Sequence, residues 1–386
     1  VSTAHVLSAN GAEAQPSEAR RVLHCVPNML NGGAQRQLVL LAAEQVRAGI
    51  DVHVAIVHSG PNAPELEATG ARLHWIATGF NHDPRLLTRL VRVMREVRPD
   101  VVQSWLTQMD VLAGAAARTT GTPWVLCERS TAEFYPPSVK NLARVFLARG
   151  ADAVVANSQG GAEYWRRRLP EGVPSLVVGN GLGFARILAA EPITDAAIDL
   201  PPGAKMVLHV GRFSPEKSIP VLLQGLAEAG REVPLVAYFC GDGTHEAEIR
   251  RLVGQVEARE RIRVLGYRKD VFSLMKRADV LVSLSVFEGH PNAVLEAAAC
   301  GCPLLLSDIP AHRAIVGDDG AFFVAGGSAP GVARGLLCCL RSAEDARRRA
   351  SVARRAVDDL SPSAMASRYA QVYAGVLRRR GARQAA

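Results

Sequence analysis

No apolar run in this chain approaches the roughly 18 residues that a membrane-crossing helix requires. The first twenty residues, VSTAHVLSANGAEAQPSEAR, lack a basic start followed by an apolar stretch. Residues 1–20 therefore read as a disordered leader rather than a secretory signal. Cysteine is sparse: seven in all, an odd number, scattered and mostly in apolar settings such as Cys240 and Cys300. That argues against a disulfide framework and for reduced thiols in a cytoplasmic protein. The close pairs Cys300/Cys302 and Cys338/Cys339 have no histidine at ligand spacing, so no metal site is expected there. Zinc-finger spacing and an RRM-like aromatic pair are missing, and no basic run exceeds the RRR at 166–168 and 378–380. No nucleic-acid partner is expected. The first strand-like segment is followed by PNMLNGGAQ, without G-x-G-x-x-G, which speaks against a dinucleotide oxidoreductase.

What is present points to a soluble two-domain α/β protein. The 386 residues exceed one ordinary core, and nearly half are apolar. The formal charge of +8, carried mostly by arginine, favours anionic partners such as a phosphorylated small molecule or an anionic membrane surface. Strand-like and helix-like patterns alternate: RRVLHCV, then AQRQLVLLAAEQVRAG ending at Gly49, then DVHVAIV, and onward through ARLHWI, RLLTRLVRVMREVRP, DVVQSW and DAVVANS. Short, nearly continuous apolar strands with helices between them imply a parallel sheet covered on both faces. Around 183–204 the rhythm breaks, where Pro192, Pro201 and Pro202 punctuate a polar stretch that reads as a linker. It resumes with KMVLHV, helix 218–229, PLVAYFC, helix 244–258, RIRVLG, helix 270–277, DVLVSL, helix 291–300 and PLLLS. The expectation is two doubly wound Rossmann-like domains, 21–190 and 191–362, facing across a cleft. A final helix, 363–386, can belong to either domain or cross back to the first. In such sheets ligands sit at the carboxyl ends of the strands.

Two stretches carry chemistry. In VFEGHPNAVLEAAACGCPL, Pro291 suits the first position of a helix, which leaves Glu288 in the strand-to-helix loop and Glu296 among apolar neighbours. A carboxylate in that setting needs hydrogen-bond donors, and a ribose diol supplies two. Spacing alone is equally satisfied by a surface charge at Glu288 and a salt bridge at Glu296. The second stretch, HVGRFSPEKS, nearly mimics a phosphate-binding G-x-x-x-x-G-K-S loop, but Glu216 stands where that loop requires its second glycine. There remain Gly211 at a strand end and the cations Arg212 and Lys217, a fork and a point charge suited to a diphosphate. Pairing of both cations with Asp242 or Glu216 explains them equally well.

Taken together, VGRFSPEKS, CGDG and RVLGYRKDVFSLMKRADVLVSLSVFEGHPNAVLEAAACGCPLLLSD resemble the carboxyl-terminal domain of the family-4 retaining glycosyltransferases, which have the two-domain GT-B fold. NGGAQRQLVLLAAEQVRAGIDVHV, RPDVVQSW, ADAVVANS and VVGNGLG extend the resemblance to the first domain, so that it covers most of residues 21–375. The resemblance implies that Arg212 and Lys217, beside Gly211, hold the donor's diphosphate as it leaves. It gives Glu296 the ribose hydroxyls and Glu288 the transferred sugar, with the backbone of Gly289, His290 and Asn292 near the sugar hydroxyls. The helix start, with Ala293 and Val294, would lie near the phosphates. Gly32 and Gly33 would let backbone come close to the donor from the first domain, and Arg129, next to Glu128 in CERS, would present a polar group to the reaction centre. Two positions depart from the pattern: His290 stands where the family commonly has an aromatic, and Ser218 where it has a glycine.

The implied activity is transfer of a sugar, with retention, from a nucleoside-diphosphate sugar to a hydroxyl of a glycan, a lipid-linked glycan or a small molecule. No cofactor beyond the donor substrate is implied. No Asp-x-Asp occurs in the chain, so metal independence is expected. The residues do not decide between front-face attack and a covalent intermediate, and the resemblance favours the former. A sugar-nucleotide epimerase of the same fold and a non-catalytic nucleotide-sugar-binding protein remain alternative readings. Helix 84–98 carries Arg85, Arg89, Arg92, Arg95 and Arg98 opposite Leu86, Leu90, Val93, Met94 and Val97. It is either an ordinary surface helix or a peripheral contact with the anionic inner face of the cytoplasmic membrane.

Overall fold

A computed structural model describes residues 19–385 except 78, 80–82, 136, 244, 258 and 326. The expected leader lies outside these residues up to position 18. Ala19 is already buried in a core, and the Arg20 backbone N–H donates to Asp100 at 2.8 Å. The chain divides into two compact units, one running to Gly181 and taking up Leu360–Ala386, the other spanning Leu182–Asp359.

The first unit is built on seven parallel strands: β1 (Arg21–Asn28), β2 (Asp51–His58), β3 (Arg72–Trp75), β4 (Val101–Trp105), β5 (Trp124–Glu128), β6 (Ala153–Ala156) and β7 (Ser175–Val177). Their spatial order is β3-β2-β1-β4-β5-β6-β7. All residues of β4, β5 and β6 are buried, as expected of strands covered on both faces. The second unit has six parallel strands, β8 (Lys205–Val210), β9 (Leu235–Cys240), β10 (Ile262–Gly266), β11 (Val280–Ser283), β12 (Leu304–Ser307) and β13 (Phe322–Val324), in the order β10-β9-β8-β11-β12-β13. In both sheets the winding reverses beside the first strand, between β1 and β4 and between β8 and β11. Loops leaving two such strands diverge to opposite faces and open a crevice at their carboxyl ends. In the second unit those loops contain Gly211–Lys217 and Glu288–Pro291.

Two sequence expectations need correction. The boundary falls at 181/182 rather than 190/191, and 183–204 is not a linker. That stretch folds onto the second unit as helix Phe184–Ala189 and the short turn Asp195–Ile198. Its isolated apolar residues Ile187, Ile198 and Leu200 are buried, Tyr238 donates to the Ile198 carbonyl at 2.8 Å, and Lys276 donates to the Ala190 carbonyl at 2.6 Å. Proline spacing hid these contacts because they follow no helix or strand period.

The chain returns to the first unit at Leu360 rather than 363, and helix Pro362–Ala385 lies there against helix Gly33–Arg47. Met365, Tyr369, Val372, Tyr373 and Val376 join the first core, and Arg380 binds Asp152 at 2.7 Å. Burying five such side chains at ~25 cal/mol per Å² fixes the helix to this unit.

Finally, helix Arg85–Val97 turns Leu86, Leu90, Val93, Met94 and Val97 into the core. Its apolar face is used up, so it has none left to lay on a membrane. Arg85 pairs with the buried Asp83 at 2.6 Å. Among the described residues no helix is long and apolar enough to cross a membrane.

Candidate active site

The loop after β8 is shaped by close backbone approach. Phe213 is fully buried and anchors it, and the Phe213 N–H donates to the Asp242 carbonyl at 2.8 Å. This brings the loop after β9 so near that a side chain at Gly241 (φ 152°) would meet the Gly211 carbonyl oxygen at 1.8 Å. Only glycine fits at Gly241. The loop then makes one short turn, Pro215–Lys217, and reverses at Ser218, whose φ of 50° lies in the left-handed region, before helix Ile219–Ala229. Glu216 is held by the Ser214 hydroxyl at 2.6 Å. Arg212 is exposed.

The loop after β11 meets it. The Val286 N–H donates to the Glu216 carbonyl at 2.8 Å, and the Lys217 ammonium donates to Glu288 Oε1. The same carboxylate oxygen accepts from the Ser285 hydroxyl at 2.7 Å, while Ser307 Oγ donates to the Ser285 carbonyl at 2.6 Å. The Lys217 and Glu288 side chains are 18% and 14% exposed. Burial opposes ionisation of Glu288, but the Lys217 charge, its hydrogen bond and that of Ser285 outweigh burial and hold the carboxyl below its ordinary value. Lys217 thus pairs with neither Asp242 nor Glu216, the partners that sequence spacing offered it.

Helix Asn292–Ala299 begins one residue later than expected, with Pro291 as its cap in extended geometry rather than its first residue. Asn292, Ala293 and Glu296 fall on a partly exposed face, whereas Val294, Leu295, Ala297, Ala298 and Ala299 face the core. Glu296 is therefore half-buried and accessible, not enclosed among the apolar residues that flank it in sequence. Val294 is fully buried. Its backbone N–H and that of Ala293 lie in the first helical turn, where no intrahelical acceptor exists. Gly289 is buried and His290 half-buried.

The other candidates lie in the first unit. Gly32 caps helix Gly33–Arg47, where an added side chain would collide with Gln35 Oε1. Arg129 sits over the Trp105 ring at 5.3 Å and donates to Asn180 Oδ1. Its neighbour Glu128 is fully buried and serves the fold. Glu128 accepts from the Arg129 and Ser130 N–H groups (2.8 Å each), Tyr135 Oη (2.6 Å), Arg144 (2.8 Å) and Trp165 Nε1 (2.9 Å). Arg144, also fully buried, binds Asp110 at 2.7 Å and lies 4.5 and 4.8 Å from the rings of Tyr135 and Trp165. Sequence reasoning did not find this triad, since NLARVFLARG gives no sign that Arg144 points inward.

Two further groups of the second unit were missed. His209, in β8, and His312, in helix Pro310–Val316, are both buried and both experience the charges of Lys217 and Glu288. Burial pushes His209 down to about 4 and lowers His312. HVG and PAHR carry no motif that singles these rings out.

The geometry can now be set beside known proteins. The family model described as Glycosyltransferase Family 4 matches residues 31–183, and that described as Glycosyl transferases group 1 matches residues 191–356. The chain belongs to the family-4 glycosyltransferases. It is 26% identical over 282 residues to the lipopolysaccharide core biosynthesis glycosyltransferase LpsE of Rhizobium meliloti, covering 71% of this chain and 75% of that protein. It is 23% identical over 320 residues to the Escherichia coli UDP-Gal:alpha-D-GlcNAc-diphosphoundecaprenol alpha-1,3-galactosyltransferase, covering 77% and 81%. Among solved structures, Anabaena HepE in complex with UDP and glucose superposes with a TM-score of 0.81 over 92% of this chain and 99% of that one, at 19% identity. The two Rossmann-like units of this glycosyltransferase are those of the GT-B fold.

Proposed function

We propose that this glycosyltransferase takes its sugar from a nucleoside-diphosphate sugar, with uracil as the base, and transfers it with retention and without a metal. The Lys217–Glu288 pair carries this reading, because it sets a cation for phosphate and a carboxylate for sugar on the two loops of one crevice. Arg212 and Lys217 hold the diphosphate beside Gly211, and the N–H groups of Ala293 and Val294 add a helix start suited to anions. Glu296, on the open face of its helix, takes the ribose hydroxyls. Glu288, Gly289 and His290 face the sugar. As the anomeric C–O bond breaks, its electron pair leaves with the diphosphate, which the two cations stabilise. The acceptor oxygen bonds to the anomeric carbon from the same face, and its proton passes to the departing phosphate. The uracil base is supported by the bound UDP of HepE and the donor named for the E. coli relative. A thermal-shift panel of UDP, GDP, ADP, TDP and NAD, with and without EDTA, tests it. UDP at about 100 times its dissociation constant should add roughly 2.7 kcal/mol, with or without EDTA. No shift with any diphosphate removes the donor site, and a shift lost in EDTA removes metal independence.

We further propose a lipid-linked glycan as acceptor, approached at an anionic membrane surface. The relative that acts on a diphosphoundecaprenol substrate supports the acceptor. Helix Val139–Ala148 supports the contact: Val139, Leu142 and Phe146, three and four residues apart, are 83%, 70% and 63% exposed. Lys140 and Arg149 are exposed on the same helix or just beyond its end, and the Arg118 guanidinium lies 5.8 Å from the Phe146 ring. An apolar stripe with a basic border suits an anionic bilayer. Flotation with phosphatidylglycerol vesicles should recover the wild type and not Leu142→Glu/Phe146→Glu. Equal recovery of the two proteins refutes the contact.

A further inference from the structure

His209 and His312 share an arrangement that the proposed roles leave unexplained. His209 Nδ1 lies 3.1 Å from the Val282 carbonyl oxygen, and His312 Nδ1 lies 2.9 Å from the Ser307 carbonyl oxygen. A carbonyl oxygen only accepts, so in each ring Nδ1 carries the proton. Burial keeps both rings neutral. Each Nε2 is therefore a bare acceptor, and each is buried with no hydrogen-bond partner among the described residues. A buried polar atom left without a partner is costly, and two such atoms beside one ion pair need a common explanation.

Both rings feel the charges of Lys217 and Glu288. Gly211 keeps the space before His209 clear. A side chain there would begin 3.6 Å from His209 Nε2 and 3.7 Å from Lys217 Cε. Ser307 ties His312 to the Glu288 loop through its hydrogen bond to the Ser285 carbonyl at 2.6 Å. Acceptors need donors. A diphosphate has none to offer at neutral pH, and the proposed role of Glu296 already takes the ribose hydroxyls. A sugar presents several hydroxyls.

We infer that His209 and His312 form a hydroxyl-reading wall of the donor pocket, each accepting through Nε2 a hydrogen bond from a hydroxyl of the transferred sugar. This rests on the nucleotide-sugar reading above. Glu288 is a third acceptor at the same place, so the pocket recognises a sugar by where its hydroxyl protons point. A site that leaves buried acceptors empty rejects an analogue lacking the matching hydroxyl.

The test is calorimetry with UDP, UDP-glucose, UDP-galactose and the series of UDP-monodeoxyfluoro-glucoses, in which fluorine replaces one hydroxyl and donates nothing. UDP alone should bind wild type, His209→Phe and His312→Phe within twofold, which also shows that the variants are folded. His209→Asn and His312→Asn serve where a phenylalanine variant does not fold. A hexose on UDP should tighten binding to the wild type, and one deoxyfluoro sugar per histidine should cost about three- to tenfold. In the matching histidine variant that penalty should vanish. Unchanged penalties in both variants overturn the inference while leaving the nucleotide site standing. So does a wild type that binds neither hexose nucleotide more tightly than UDP. Failure of UDP itself to bind the wild type refutes the nucleotide reading, and the inference with it.

Discussion

Replacing Glu288 with glutamine keeps the shape of the side chain and removes its charge, and the structure makes the outcome two-sided. Lys217 already has an anion in Glu288, and both side chains are mostly shielded from water. A diphosphate that recruits Lys217 must compete with Glu288. Two unit charges about 4 Å apart interact by about 4 kcal/mol at an effective dielectric constant of about 20. If binding weakens that pair by a quarter to a half, Glu288 opposes the nucleotide by about 1–2 kcal/mol. UDP should then bind Glu288→Gln about five- to thirtyfold more tightly than wild type, most clearly at low salt. Turnover should move the other way, on the order of a hundredfold down, because the sugar loses a fixed partner. Calorimetry with UDP and a radiolabelled transfer assay read the two effects separately. Lys217→Met should weaken UDP, and Glu296→Ala should weaken it while sparing turnover at saturation. A Glu288→Gln protein with an unchanged melting temperature that binds UDP no better than wild type would refute the competition.

Ser218 holds a left-handed backbone and makes no capping hydrogen bond, so Ser218→Gly should stabilise the protein by about 0.5–1 kcal/mol in urea unfolding. Arg144→Met strands the carboxylates of Asp110 and Glu128 in the core and should cost about 3–5 kcal/mol, whereas Arg166→Met on the exposed helix end should cost under about 1. Burial lowers His24 and His209 to about 4, so each contributes stability that is full above about 6.5 and lost as pH falls towards 4, up to about 3 kcal/mol apiece. Burial raises Asp110 to about 6 against the Arg144 charge, so its contribution has the opposite sign, present at low pH and lost as pH rises through 6. The urea midpoint should therefore fall between pH 6.5 and 4, and fall further in Asp110→Asn, where the opposing contribution is gone.

The alternation of apolar strands with helical patterns was enough to read both parallel sheets, because a strand buried on both faces leaves an unbroken apolar run such as WVLC or LVAYFC. The loops at the end of β8 and β11 were legible for the same reason: where each strand stops is visible, and winding reversal places those two ends together. What sequence spacing could not reveal was pairing. Lys217 had Asp242 and Glu216 nearby in sequence and took Glu288, 71 residues away, because β8 and β11 are neighbours in the sheet. Helix Arg85–Val97 left two readings open in sequence. Its amphipathic pattern was read correctly, but a pattern does not say what covers the apolar face, and the core covers it. Helix Val139–Ala148 was passed over, although it is the one that leaves Val139, Leu142 and Phe146 in water. Its inward side packs Ala148, Val145 and Leu147 on the core and sets Arg144 between two rings, while a second apolar row, Val139, Leu142 and Phe146, points outward. Two apolar rows on one short helix leave hydrophobic periodicity unable to say which row the core covers and which meets water.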